Sequence, residues 1–197
     1  MNRFGSRLRL SLNAPVTLAF VGVCFLAQLL NVLTMGASNR LVFSVYRSSL
    51  ADPLTYVRSI FHVFGHADWN HLMGNMIYIL ILGPMLEEKY GGKNLALVIA
   101  VTALVTGVFS QLLFPRVMLL GASGVVFAFI LLTSFAGFRE GEIPVTVLLV
   151  ALIYIGQQIY DALFVRDNVA NLSHIVGGIV GAASGFLLNR GRTKRNG

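Results

Sequence analysis

The sequence predicts an all-α membrane protein, a bundle of six transmembrane helices with a long membrane-associated loop after the first. Three observations carry that prediction. Of 197 residues, 56% are hydrophobic and only 12% are charged, about half the charged fraction of a soluble domain. Apolar runs of spanning length recur along the chain. The net charge of +7 comes from Lys and Arg gathered at the ends and in short connections, which suits membrane topology and argues against nucleic acid as a partner.

A spanning helix needs about 20 mostly apolar residues, and six segments approach that length: 14–33, 69–86, 94–114, 117–138, 143–160 and 169–189. In the first, Pro15 suits a first-turn position, where its missing N–H matters little. No small-residue cleavage site follows this segment, so it reads as a retained helix. The lone Cys24 inside it cannot form an intramolecular disulfide. Segment 35–68 mixes Leu41, Val42, Phe43, Val45, Tyr46 and Leu50 with Arg40, Arg47, Ser48 and Ser49, a mix that fits a partly helical element lying in the membrane interface. Glu87, Glu88 and Lys89 close the second segment as interfacial charges or loop anchors. Gly91-Gly92 and Pro115 mark the turns on either side of the third. Residues 14–189 thus form the helical domain, with a short tail at 1–13 and a basic tail at 190–197. The basic tail reads as a topology anchor.

Direction follows from the basic residues. With the N-terminus inside, Arg3, Arg7, Arg9, Lys89, Lys93, Arg139, Arg190, Arg192, Lys194 and Arg195 fall on the inner side, and Arg40, Arg47, Arg58, Arg116 and Arg166 on the outer, ten against five. The positive-inside rule then places both termini in the cytoplasm. The second, fourth and sixth helices run from outside to inside, and each carries a polar residue near its start: His71, Ser123 and His174. At 1.5 Å rise per residue, Ser123 and His174 are expected roughly 8–10 Å below the outer ends of their helices.

Ionisable groups at membrane depth are costly and usually functional. Ser123 lies in Gly121-Ala122-Ser123-Gly124, whose small residues clear space around the hydroxyl; alone, such a patch equally suits helix packing. His174 is followed by Gly177, Gly178 and Gly181 at i+3, i+4 and i+7, so they share its face. That face fits the small surface of Gly121, Gly124 and Ala128, a contact that would bring His174 towards Ser123. Neutral imidazole is the usual base for a serine nucleophile. His71 and Asn75, at i and i+4, can both donate hydrogen bonds to a developing oxyanion. His62 and His66 more plausibly brace the loop than ligate a metal, because suitable third and fourth ligands are lacking. With no carboxylate evident beside His174, the residues read as a Ser–His dyad with no metal and no cofactor.

These residues resemble the rhomboid intramembrane serine proteases. His66-Ala-Asp-Trp-Asn-His71-Leu-Met-Gly-Asn75 is similar to the second-helix motif, Gly121-Ala-Ser123-Gly124 to the nucleophile motif, and His174-Ile-Val-Gly177-Gly-Ile-Val-Gly181 to the base motif. The resemblance covers residues 14–189 and is to the minimal bacterial form, which implies an inner-membrane location. It implies nucleophile Ser123, base His174, and oxyanion donors His71, Asn75 and the Ser123 backbone. A water-filled cavity and single-pass membrane-protein substrates, cut near the outer end of their helix, are also implied. Glu87 and Gly91 fall where the family often has the same residues. Two positions depart from the family: Val57 precedes Arg58 where a tryptophan is frequent, and Phe127 stands where a tyrosine often stacks on the histidine. A non-catalytic rhomboid-like protein that captures membrane proteins is the alternative. A small metal or proton carrier is a third reading, but the mid-membrane acidic residues it needs are missing.

Overall fold

The computed structural model describes residues 12–114, 116–135, 145–146, 148–150, 152–153, 156, 160 and 168–196. The expected fifth helix, 143–160, and the N-terminal tail, 1–13, lie largely outside the described residues. Seven α-helices are described: α1 (Pro15–Leu33), α2 (Ala37–Leu41), α3 (Pro53–Phe61), α4 (Trp69–Tyr90), α5 (Gly92–Leu113), α6 (Ser123–Ser134) and α7 (Asn168–Asn196), with a 3-10 turn at His62–Phe64 after α3.

α1 and α5 are long and apolar enough to cross a membrane, and α6 is a shorter apolar helix. α4 has the length, but Asn70, His71 and Asn75 interrupt its apolar character. Large apolar side chains point outward as well as inward. Leu26, Leu29 and Leu33 of α1, Ile77 and Ile81 of α4, and Leu97 and Leu112 of α5 are all exposed. A helix apolar on every side belongs in a protein core or a bilayer, and this one faces outward, so the protein is an all-α integral membrane protein.

α1 begins without a side-chain cap from Ala14. Glu87, near the far end of α4, supplies the acceptor. Its Oε1 takes the Val16 N–H at 2.9 Å, and its Oε2 takes the Thr17 N–H at 2.9 Å and the Thr17 hydroxyl at 2.8 Å. A carboxylate at a helix N-terminus satisfies orphan donors and opposes the helix dipole. Glu87 is therefore more than an interfacial charge: it ties the start of α1 to the end of α4.

The segment between α1 and α4 holds α2 and α3, as its mixed composition predicts. Asp52 caps α3 by accepting from the Leu54 N–H at 3.0 Å. Arg58, 3% exposed, reaches back from α3 to Asp52 at 2.7 Å and to Ser48 at 2.9 Å, and lies 4.7 Å from the centre of the Tyr46 ring. Arg58 holds this segment together without the tryptophan that Val57 replaces.

The fourth expected segment is corrected by the structure. Its helix begins at Ser123, not at 117. Leu119 instead pairs with Val45 in an isolated antiparallel bridge, with N–H to O distances of 2.8 and 2.9 Å. Ser123 is thus delivered by a short extended stretch and opens α6; it does not lie several residues down a helix. α6 is the central element. Val125, Ala128, Phe129 and Leu132 are fully buried, and α6 packs on α4, α5 and most extensively on α7.

Candidate active site

A cavity of about 760 Å³ is walled by α4, the 117–120 stretch, α6 and α7. His71 and Asn75 line it from α4, Ser123 from the first turn of α6 and His174 from α7. The four polar residues singled out by sequence therefore meet in one place.

Gly121 explains how the serine is presented. Its φ of +126° is a conformation that L side chains rarely adopt. A Cβ at Gly121 would lie 2.8 Å from His71 Cε1, 2.9 Å from His71 Nε2 and 3.9 Å from Asn75 Nδ2. Both α4 side chains thus converge on the backbone two residues before Ser123. The first N–H groups of a helix have no intrahelical partner and carry the positive end of its dipole; α6 starts at Ser123. Asn75 is buried, and one amide N–H already donates to the His71 carbonyl at 3.2 Å. An amide carries two such donors.

The stretch before Ser123 is held from behind by both remaining histidines. The Gly121 N–H donates to the His62 carbonyl at 3.0 Å, and the Ala122 N–H to His66 Nε2 at 3.5 Å. His66 Nδ1 lies 3.1 Å from the Phe64 carbonyl, which can only accept, so the ring proton sits on Nδ1 and Nε2 is left as an acceptor. The His66 ring also meets the His71 ring edge-on, with centroids 5.1 Å apart, and the Asn39 amide donates to the His66 carbonyl at 2.9 Å. His62 Nε2 lies 3.2 Å from the Thr106 hydroxyl, which spends its own proton on the Thr102 carbonyl at 2.7 Å. Burial pushes both His62 and His66 down to about 4, so both rings are neutral near pH 7. Both ring nitrogens of His66 and Nε2 of His62 are engaged by the protein, and among the described residues no group of three or more His, Cys, Asp or Glu could hold a metal.

His174 is positioned by small residues. A Cβ on Gly177 would run into the Gly124 carbonyl, and one on Gly181 into the Ala128 carbonyl. Glycines at these positions let α7 lie directly on α6. Gly121 takes no part in that contact, contrary to expectation; it faces α4. The Phe127 ring, one turn after Ser123, lies 4.2 Å from the His174 ring at an interplanar angle of 38°. The ring contact is present without the tyrosine hydroxyl.

Sequence reasoning missed several lining residues: Asn70, Gly74 and Tyr78 of α4, the 117–120 stretch, and Val126 and Ile130 of α6. Gly74 and Tyr78 stand at i+3 and i+7 from His71, so extending the His71/Asn75 face along α4 would have found them. Thr106, which holds His62, carries no such signal.

Fold and site together define an all-α membrane protein with a serine, a histidine and two donor side chains around one cavity. Residues 53–191 match the family model described as a Rhomboid domain. The chain is 32% identical to Rhomboid-related protein 2 of Mus musculus over 71% of its length and 53% of the mouse protein. It is 25% identical to Rhomboid protease GlpG of Serratia proteamaculans over 90% of its length and 64% of that protein. It is also 25% identical to the chloroplastic Rhomboid-like protein 11 of Arabidopsis thaliana, over 64% of its length and 50% of that protein. The chain belongs to the rhomboid family. It spans roughly half to two thirds of the length of these relatives.

Proposed function

We propose that the protein is an intramembrane serine endopeptidase that uses a Ser123–His174 dyad. The observation that carries this reading is the shared cavity, with Ser123 and His174 on its wall and His71 and Asn75 beside them. The family supports it, since a relative 25% identical is named a rhomboid protease.

In this reading His174 takes the hydroxyl proton as Ser123 Oγ attacks a peptide carbonyl carbon. The negative charge formed on the carbonyl oxygen is held by N–H donors from His71, Asn75 and the Ser123 backbone. The intermediate collapses, and the leaving amine takes the proton from His174. A water, deprotonated by His174, then cleaves the acyl-serine ester, releasing the new carboxylate and restoring the Ser123 hydroxyl. No cofactor or metal enters these steps.

Six spanning helices, residues 14–189 as one catalytic domain, and termini on the cytoplasmic side of a bacterial inner membrane complete the reading. Substrates would be single-pass membrane proteins cut near the outer end of their helix, with helix-weakening Gly or Pro there, because a formed helix hides its carbonyls. The test is cleavage of such a substrate by the purified protein in liposomes, with Ser123→Ala and His174→Ala as controls. Folded wild-type protein that binds the substrate and cuts none would favour the non-catalytic alternative.

A further inference from the structure

Next to the cavity that holds Ser123 is a second one, of about 330 Å³, lined by Arg40, Tyr46, Arg116, Val117 and Met118. Val117 and Met118 line both cavities, so the two share a wall. That wall belongs to the extended stretch leading to Ser123. Arg40 and Arg116 are exposed, and no carboxylate among the described residues pairs with either. The two carboxylates between α1 and α4 are committed elsewhere: Asp52 to Arg58 and the Leu54 N–H, Asp68 to the His71 N–H at 2.8 Å. The Arg58 guanidinium lies 4.7 Å from the centre of the Tyr46 ring. The Tyr46 hydroxyl donates to the Arg40 carbonyl at 3.0 Å, fixing the floor of the cavity to the end of α2.

Two arginines on the lining of one cavity favour an anion there, and a carboxylate is the anion a peptide carries. We propose that this cavity is a specificity subsite that receives a Glu or Asp side chain from the extended part of the substrate. The inference rests on the protease reading. A carboxylate on the substrate is favoured over a lipid phosphate because the cavity continues the wall of the Ser123 cavity, along which a bound chain must lie. An extended chain advances about 3.3 Å per residue, and residues 116–123 join the two sites. The linking stretch is no longer than those residues, so the acidic residue would sit within about eight residues of the scissile bond.

The test uses the full chain in phosphatidylcholine liposomes. Single-span substrates would be identical except for Glu, Gln or Lys at successive positions outside the span. One position is expected to give a kcat/KM about tenfold higher with Glu than with Gln, lower still with Lys, and a Glu advantage that shrinks as salt rises. Within the Arg40→Gln/Arg116→Gln double variant, the Glu-to-Gln ratio should fall to near one; being a ratio, it does not depend on how much variant is folded. A ratio near one at every position with the wild-type protein would overturn the inference while leaving the protease reading intact. No cleavage of any substrate would sink both. Arginine-dependent stimulation by added phosphatidylglycerol, equal for Glu and Gln substrates, would assign the cavity to a lipid headgroup and overturn the inference as well.

Discussion

Gly177 of α7 lies with its α carbon against the carbonyl oxygen of Gly124 in α6, so close that no Cβ fits between them. This contact sets the spacing between the helices that carry Ser123 and His174, with the Gly181–Ala128 contact one turn further on. The atom in the way is backbone, so a larger residue must push a helix aside. Gly177→Ala is expected to cost about 1–3 kcal/mol and to reduce activity by a larger factor than stability alone explains. Gly22→Ala in α1, where nothing lies within 4 Å, serves as control and should leave both unchanged or raise stability slightly. Thermal midpoints in detergent and cleavage rates measured side by side would check this.

Gly121 should be less tolerant still. Its positive φ strains any L residue, and a Cβ there meets the His71 ring. Gly121→Ala is expected to lower kcat about a hundredfold or more while KM changes little, since the proposed oxyanion donors His71 and Asn75 would move. Kinetics close to wild type would show that the Gly121 backbone does not set the His71 and Asn75 positions.

Asn75 lines the cavity, and its amide carries a second N–H beyond the one on the His71 carbonyl. Asn75→Ala should therefore cost about 10²–10³ in kcat, the range found for one lost oxyanion donor. Asn75→Asp, which keeps shape but loses the donors, should behave similarly. A change confined to KM would place Asn75 in ground-state binding instead.

His62 and His66 make stability depend on pH in one direction. Both rings are held near 4 against a reference value of 6.5. The unfolded chain therefore takes up protons first as pH falls. The stabilisation is complete above about 6.5 and lost progressively towards 4, up to about 3 kcal/mol for each ring. The thermal midpoint should fall steeply between pH 6.5 and 4.5, and His62→Gln should flatten that fall. A midpoint independent of pH in this window would contradict the account of these two braces.

Much of this was legible in the chain because the informative residues are close in sequence or share a helix face. His71 and Asn75 are one turn apart, Gly177 and Gly181 follow His174 at helical spacing, and the loop composition gave away α2 and α3. The misreadings have a common cause. Val117–Leu120 is as apolar as a helix, so composition alone extended α6 backwards; the pairing of Leu119 with Val45 crosses more than seventy residues and leaves no local trace. Pro115 and Gly121 were the available signals, since a glycine just before the helix is where the backbone can turn sharply. Glu87 could be read only as an interfacial charge or a loop anchor, and what it anchors stayed hidden because its partners, Val16 and Thr17, lie seventy residues away. The partners of His62 and His66, Thr106 and Ala122, were out of reach for the same reason.

The central claim is that Ser123 is a nucleophile activated by His174. A fluorophosphonate probe applied to the purified protein in liposomes tests it most directly, with the modified residue mapped by mass spectrometry. The account predicts covalent labelling at Ser123, absent in Ser123→Ala and strongly reduced in His174→Ala. Folded wild-type protein that takes up no label, or labelling of Ser123 that is unchanged in His174→Ala, would contradict it.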